Sequence, residues 1–240
     1  MIMVQLVDDI PTLKACSLTC YSWYIAALPC IHHTLVLRNR NGALKALSNL
    51  HALGLLPFTK EVRILQVISK PYWFTPQFSR HQDSRHFFAL TNVRSLMVQF
   101  LDIISLAPRL GHHFGHLSSA LRSFTLHGPR CTALQLSYFI SLFPNLDDVD
   151  IRYFWALPNI PSEVLGPWST PKLCGKLALV SSDTVETWHQ LATRCGLRFR
   201  FIHIWAVIEC VPVILNACAK TLETLRIEPP FEHGMNPVFT

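Results

Sequence analysis

The sequence predicts an α/β stack: a curved parallel sheet whose short strands recur along the chain, each followed by a helix returning on the outer side. Three observations carry this expectation. First, a six-residue phrase, apolar at its first, fourth and sixth positions, begins at residues 62, 93, 121, 146, 174, 199 and 222. Second, segments with apolar residues at helical spacing lie between the phrases. Third, each such segment hands over to the next phrase within a few residues, the alternation of a parallel sheet with helices on one side.

Taken in order, the chain opens with Asp8 or Asp9 as the helix cap, Pro11 in the first turn, and Leu13, Cys16, Leu18, Cys20 and Trp23 at helical spacing until Pro29 stops the helix. Ala43, Leu44, Leu47, Leu50, Leu53 and Leu56 predict a helix over 41–56 that leads into the phrase Val62-Arg63-Ile64-Leu65-Gln66-Val67. The phrases Val93 to Val98, Leu121 to Leu126 and Leu146 to Ile151 are separated by helices predicted over 100–106 and 133–143. Looser phrases, Cys174 to Leu179 and Phe199 to Ile204, flank a helix over 183–195, capped by Asp183 and ended by Gly196. A helix over 207–220 leads to the last phrase, Leu222 to Ile227. Two stretches, 69–85 and 154–171, crowd aromatic and proline residues without period and read as long loops, which are usually functional, disordered or inserted decorations. The expected organisation is a helical segment over 1–40 and an irregular array of about seven strand repeats over 41–240.

The recurring phrase resembles that of the leucine-rich repeats, and the resemblance implies a solenoid-like stack with strands on its concave side. No unit of such a stack buries its apolar side alone, so neighbours must cover one another. The Asn that usually follows the phrase and ties repeat backbones together is missing from every copy, so these turns need other hydrogen-bond partners. If the phrases are strands, their spacers line the concave face: Gln66, Met97, Gln99, Thr125, His127, Asp148, Asp150, Arg152, Lys176, His203, Trp205, Arg226 and Glu228. A mixed face with a Trp and two Arg has the composition of a protein-binding surface. The blander alternative is that neighbouring loops cover some of these residues, Trp205 above all.

A second resemblance lies in the first forty residues. Asp9-Ile10-Pro11-Thr12-Leu13-Lys14-Ala15-Cys16-Ser17 and the following Leu18-Thr19-Cys20-Tyr21-Ser22-Trp23 are similar to the second half of an F-box, with its leucine-x-cysteine-x-x-tryptophan ending. The family's leucine-proline opening would lie upstream of Leu6, and Tyr21 stands where a basic residue is usual, so the match is to a partial F-box. An N-terminal F-box before irregular repeats resembles the large F-box families of mushroom-forming fungi. That resemblance implies a substrate-recognition subunit of a Skp/cullin/F-box-type ubiquitin ligase. Ile10, Pro11, Leu13, Leu18 and Trp23 would meet a Skp-type adaptor, and the repeat array would capture a target protein. The structural alternative is a repeat scaffold for protein–protein interaction that has lost adaptor docking, in which those same residues cap the first strand of the stack.

Bulk properties narrow the classes. Apolar residues make up 50% of the 240 and charged residues only 15%, against roughly 25% in an ordinary domain, so burial inside the stack or a partner must cover much of the surface. The net charge of +6 is scattered without a basic run, which argues against a nucleic-acid partner. Eight cysteines without a C-x-x-C pair, and no glycosylation sequon, fit reduced thiols in the cytoplasm or nucleus. The apolar start lacks the basic residues of a signal peptide, and no run of about 18 apolar residues offers a membrane span.

No phosphate loop, dinucleotide phrase, nucleophile elbow or zinc-protease helix occurs, so no enzyme, cofactor or metal site is expected. The His112-His113-Phe114-Gly115-His116 cluster is the most metal-like feature, but Gly115 interrupts it and no carboxylate or thiol is near in sequence, so it reads as a loop. Asp148 and Asp150 fall on one side of a strand and Asp147 on the other. Without a pocket or unequal environments they read as an acidic spot for a basic partner, not as an acid–base pair.

Overall fold

The computed structural model describes residues 6, 9–66, 73–75, 78, 82–106, 109–152, 155–157, 173–179, 185, 188–189, 192–193, 196–204 and 209–228. Helices begin where the sequence offers a cap. In α1 (Ile10–Ser17) the Asp9 carboxylate accepts from the Thr12 N–H and Pro11 occupies the first turn, where its missing N–H costs nothing. It packs on α2 (Tyr21–Ile31) through a small cluster of Leu13 and Cys30, with Leu6, Ile10, Cys16 and Ile31 around them. In α3 (Arg40–Ala52) the Asn39 side chain accepts from the Gly42 N–H, and the helix buries Ala43, Leu44, Leu47 and Leu50. The short α4 (Ile103–Leu106) and α5 (Leu110–Phe114) follow, then α6 (Ala133–Ser141), which starts with a reciprocal capping box between Thr132 and Gln135. The last is α7 (Val211–Cys218), with Pro212 in its first turn.

Ten strands are described. They are β1 (Thr34–Leu37), β2 (Glu61–Leu65), β3 (Ser95–Gln99), β4 (Ser123–His127), β5 (Arg130–Thr132), β6 (Asp148–Arg152), β7 (Trp155–Leu157), β8 (Leu173–Leu179), β9 (Leu197–Ile204) and β10 (Thr224–Ile227). Eight of them form one open sheet, wholly parallel, in the order β1-β2-β3-β4-β6-β8-β9-β10, while β5 and β7 pair separately. Consecutive strands of the large sheet are therefore spatial neighbours. Leu37, Ile64, Val98, Leu126, Ile151, Leu177 and Ile202 stand in register across seven strands, all buried. They share one contiguous core with Leu47, Leu106, Leu110, Phe139 and Ile214 of the helices, so the helices cover one face of the sheet. A repeated backbone contact couples the first units. The carbonyls of His33, Lys60, Arg94 and Arg122 each accept two N–H groups from the start of the following strand.

The structure departs from the sequence reading in several places. The one helix expected up to Pro29 is two, α1 and α2, broken at residues 18–20. Pro29 does not stop α2, which runs to Ile31 because Leu28 and Cys30 on either side of it pack inward and hold the last turn. Residues Thr34–Leu37, assigned to the helical segment, instead form the first strand, with Leu35 and Leu37 buried and paired opposite Val62 and Ile64. The first phrase is out of register by three residues. Val62 pairs with Leu96, not with Val93, so the repeat proper starts at the buried Thr59 and Gln66 lies beyond the strand. From β8 onward the phrases slide by one strand period, Leu177 pairing with Ile151, which leaves the inward side chains inward.

The predicted helices over 41–56, 100–106 and 207–220 shorten to α3, α4 and α7, while the 133–143 helix ends at Ser141. The helix over 183–195 lies mostly outside the described residues, but the Gly196 N–H donates to the Ala192 carbonyl with Gly196 at φ +65°, the left-handed ending expected there. Within 69–85, the described Phe74 and Phe78 are buried beside Phe87 and Phe114, so these two residues belong to the core. Residues 154 and 158–171 lie outside the described residues.

Candidate functional site

The face of the sheet opposite the helices carries the side chains that alternate with the core ladder. Met97, Gln99, Thr125, His127 and Asp148 are half-buried there, and Arg152, Lys176 and Arg226 are exposed. The β3, β4 and β6 members lie side by side, Met97 against Thr125 and Asp150, and Gln99 against His127 and Arg152. Trp205 lies outside the described residues.

Charge on this face is largely self-neutralised in pairs two residues apart. Arg63 Nε lies 2.7 Å from Glu61, and Arg152 Nε donates to both carboxylate oxygens of Asp150 at 3.1 and 2.9 Å. On β10 the Glu228 carboxylate, half-buried, accepts from Arg226 at 2.6 Å and lies 3.2 Å from His203 Nε2. Asp150 is 8% exposed, so the Arg152 pair covers it and the acidic spot expected at Asp148 and Asp150 is half closed. At the end of β4, His127 stacks on Phe100 at 5.7 Å, and burial, then the Arg152 guanidinium, lowers the imidazole pKa while Asp150 opposes them.

Gln66 is the expected face residue that the structure removes. It is 3% exposed because its amide is used internally: Nε2 donates to the Phe100 carbonyl at 3.3 Å, and Oε1 accepts from the Phe74 N–H at 3.2 Å. It thus ties the turn after β2 to the turn after β3, the job left open by the missing Asn. Gln66→Leu is expected to lower the unfolding free energy by about 2 kcal/mol, because two backbone groups lose their partner while the volume stays filled; an unchanged urea midpoint would contradict that role.

At the N-terminal end, Leu13 is fully buried between α1 and α2 and Ile10 is half-buried, so these two hold the helix pair together and do not stand free. Pro11 is exposed. Leu18 is 86% exposed, and Tyr21, Trp23, Tyr24 and Ile25 are exposed as well, which gathers five large apolar side chains on one short stretch. Sequence reasoning missed Tyr21, Tyr24 and Ile25; the signal was available in a helix whose apolar residues nearly surround it.

The histidine cluster is helical rather than a loop, with His112 and His113 in α5 and His116 in the following 3-10 turn, Gly115–Leu117. His113 is buried against Phe74 and Phe114, and His116 sits edge-on to Phe87 and Phe88. Among the described residues no group of three or more His, Cys, Asp or Glu side chains is placed to hold a metal ion, and no helix is long and apolar enough to cross a membrane. Comparison with protein-family models, curated proteins and solved structures finds no match to this chain. The site is therefore read from its own residues: an open, mixed polar sheet face at one place and an uncovered apolar helical patch at another.

Proposed function

We propose that the chain is a non-enzymatic substrate-recognition subunit of a Skp/cullin/F-box-type ubiquitin ligase, built as a leucine-rich-repeat-like array behind a partial F-box. The observation that carries this reading is the exposure of Leu18 and Trp23, with Tyr21, Tyr24 and Ile25, on the segment whose sequence resembles the F-box. Water contact over such side chains is unfavourable by roughly 25 cal/mol per Å², so an apolar patch of this kind marks a surface that a partner covers. The patch is a supporting feature for a helical adaptor. Ile10 and Leu13 then serve by fixing the α1–α2 pair, and Pro11 lies at its exposed start.

The parallel strands, adjacent in chain order, and the uncovered polar side chains on their open face support target capture by the array. The chain would act by holding the target near the ligase, raising its effective concentration without chemistry of its own. Leu18→Ala together with Trp23→Ala is expected to abolish co-purification with a Skp-type adaptor while the circular dichroism spectrum stays that of a folded chain, since Leu18 is 86% exposed and Trp23 lies outside the buried core. Retention of the adaptor at the wild-type level by a folded double variant would displace the docking surface from α2, and a wild-type chain that never binds the adaptor would leave only the scaffold function.

A further inference from the structure

On β2, β6 and β10 each outward cation has a carboxylate two residues away, but β8 and β9 break the pattern. Among the described residues no carboxylate pairs with Lys176, Arg198 or Lys220, all exposed. Arg200 meets Glu223 at 3.8 Å, beyond hydrogen-bond distance, with both side chains more than half exposed. The cause is local. The β8–β9 register slips at Gly175/Lys176, and the extra residue puts Arg200 and Phe201 together between the buried Phe199 and Ile202. Lys176 and Arg200 then both lie 5.8 Å from the Phe201 ring centroid, which gathers positive charge around one aromatic side chain.

At the start of these strands Arg198, Arg200 and Lys220 line an open cleft of about 440 Å³ that also has Leu222, Cys174 and a single carboxylate, Glu223. Cys174 adds no charge. Burial, then Asp148 and Asp147 on the β6 flank, push its thiol pKa up, and its Sγ donates to the Asp147 carbonyl. Lys176, Arg198, Arg200 and Lys220 therefore gather positive charge at β8 and β9, beside Asp147 and Asp148 at the start of β6.

We propose that the β8–β10 end of the open face, with its cleft, is a docking site for an acidic, carboxylate-bearing segment of a target protein. This names the target chemistry of the recognition function proposed above and rests on that reading. A carboxylate entering the cleft accepts charge-assisted hydrogen bonds from Arg198 and Lys220, and its aliphatic stem packs on Leu222. Attraction by the cleft cations and repulsion by the flanking Asp147 and Asp148 both scale with the charge of the ligand, so the cleft selects an acidic group and the phosphoserine peptide tests carboxylate against phosphate.

The test uses the full chain and a labelled peptide of alternating Glu and Ala, with Gln and phosphoserine counterparts, followed by fluorescence anisotropy at low and physiological salt. The Glu peptide is expected to bind, more weakly at higher salt, and the Gln peptide not. Arg198→Ala with Lys220→Ala is expected to weaken the Glu peptide by about tenfold. Arg38→Ala with Arg40→Ala removes the same charge beside β1 and is expected to leave binding unchanged. An equal loss in both double variants, binding by the phosphoserine peptide alone, or no binding at all would each overturn the proposal. Adaptor retention is measured separately, so failure here is distinguishable from failure of the ligase reading.

Discussion

Gly175→Ala is expected to lower the unfolding free energy by about 3 kcal/mol or more, and to do so by opening the sheet between β6 and β8. Gly175 sits at φ +110°, a conformation nearly closed to L side chains, and a Cβ there would overlap Asp148 Oδ1 and lie 2.7 Å from the Val149 backbone nitrogen. The Asp148 side chain could swing away, but the Val149 nitrogen belongs to the paired strand and could not. Val149 and Gly175 are register partners, so the substitution strikes the β6–β8 pairing that joins the first five strands of the large sheet to the last three. Urea unfolding should show a lower midpoint, and hydrogen exchange should show β8 to β10 losing protection before β2 to β4. Gly54→Ala is the control. It also has positive φ, but a Cβ there has nothing within 4 Å, so its cost should stay near the conformational term of about 1 kcal/mol. Equal effects of the two substitutions would show that packing between β6 and β8 is not what Gly175 protects.

Acid is expected to destabilise the chain earlier than carboxylate titration alone would. His113 and His116 have pKa values lowered from 6.5 to about 4, mainly by burial, with His112 adding to both and Arg109 to His113; a Phe87 backbone hydrogen bond opposes the shift at His116. The faces packed against them are aromatic: Phe74 and Phe114 at His113, Phe87 and Phe88 at His116. No carboxylate is among the charges that shift either group. Because the folded state holds both rings neutral, the unfolded chain binds more protons between about pH 6.5 and about pH 4. Stability therefore falls as pH falls through that window and is insensitive to these two groups above it. At about 1.4 kcal/mol per pKa unit the combined loss is on the order of 5 kcal/mol, comparable to the whole stability of many domains. Urea midpoints measured across the window should fall steeply, and His113→Leu with His116→Leu should flatten that slope. A wild-type profile that stays level down to pH 4 would contradict the burial of neutral imidazoles.

Much of the strand pattern was legible because a parallel strand covered on one face must alternate apolar and polar residues. The phrases at 93, 121 and 146 therefore mark β3, β4 and β6 with correct inward and outward sides. The phrase at 62 misled because Val62, Ile64, Leu65 and Val67 satisfy the same template in two frames, and only pairing opposite Leu96 and Val98 selects Val62 and Ile64. That one frame error carried Gln66 onto the wrong list. Thr34–Leu37 was lost for a different reason: four residues beside a helical segment give too short a period, and their strand form depends on a partner at 61–64.

What the sequence determined by itself is local in origin: the cap at Asp9, the helix ending at Gly196 and the alternation of phrases with helices. Only the tertiary structure decided which frame each strand adopts, that Gln66 serves the backbone, that His113 is enclosed by rings, and that Leu13 turns inward while Leu18 and Trp23 face solvent. The reason is one of range. Caps and periodicity act over a few neighbouring residues, whereas register, burial and exposure depend on which distant strand or ring arrives opposite a side chain, and nothing in the local sequence specifies that partner.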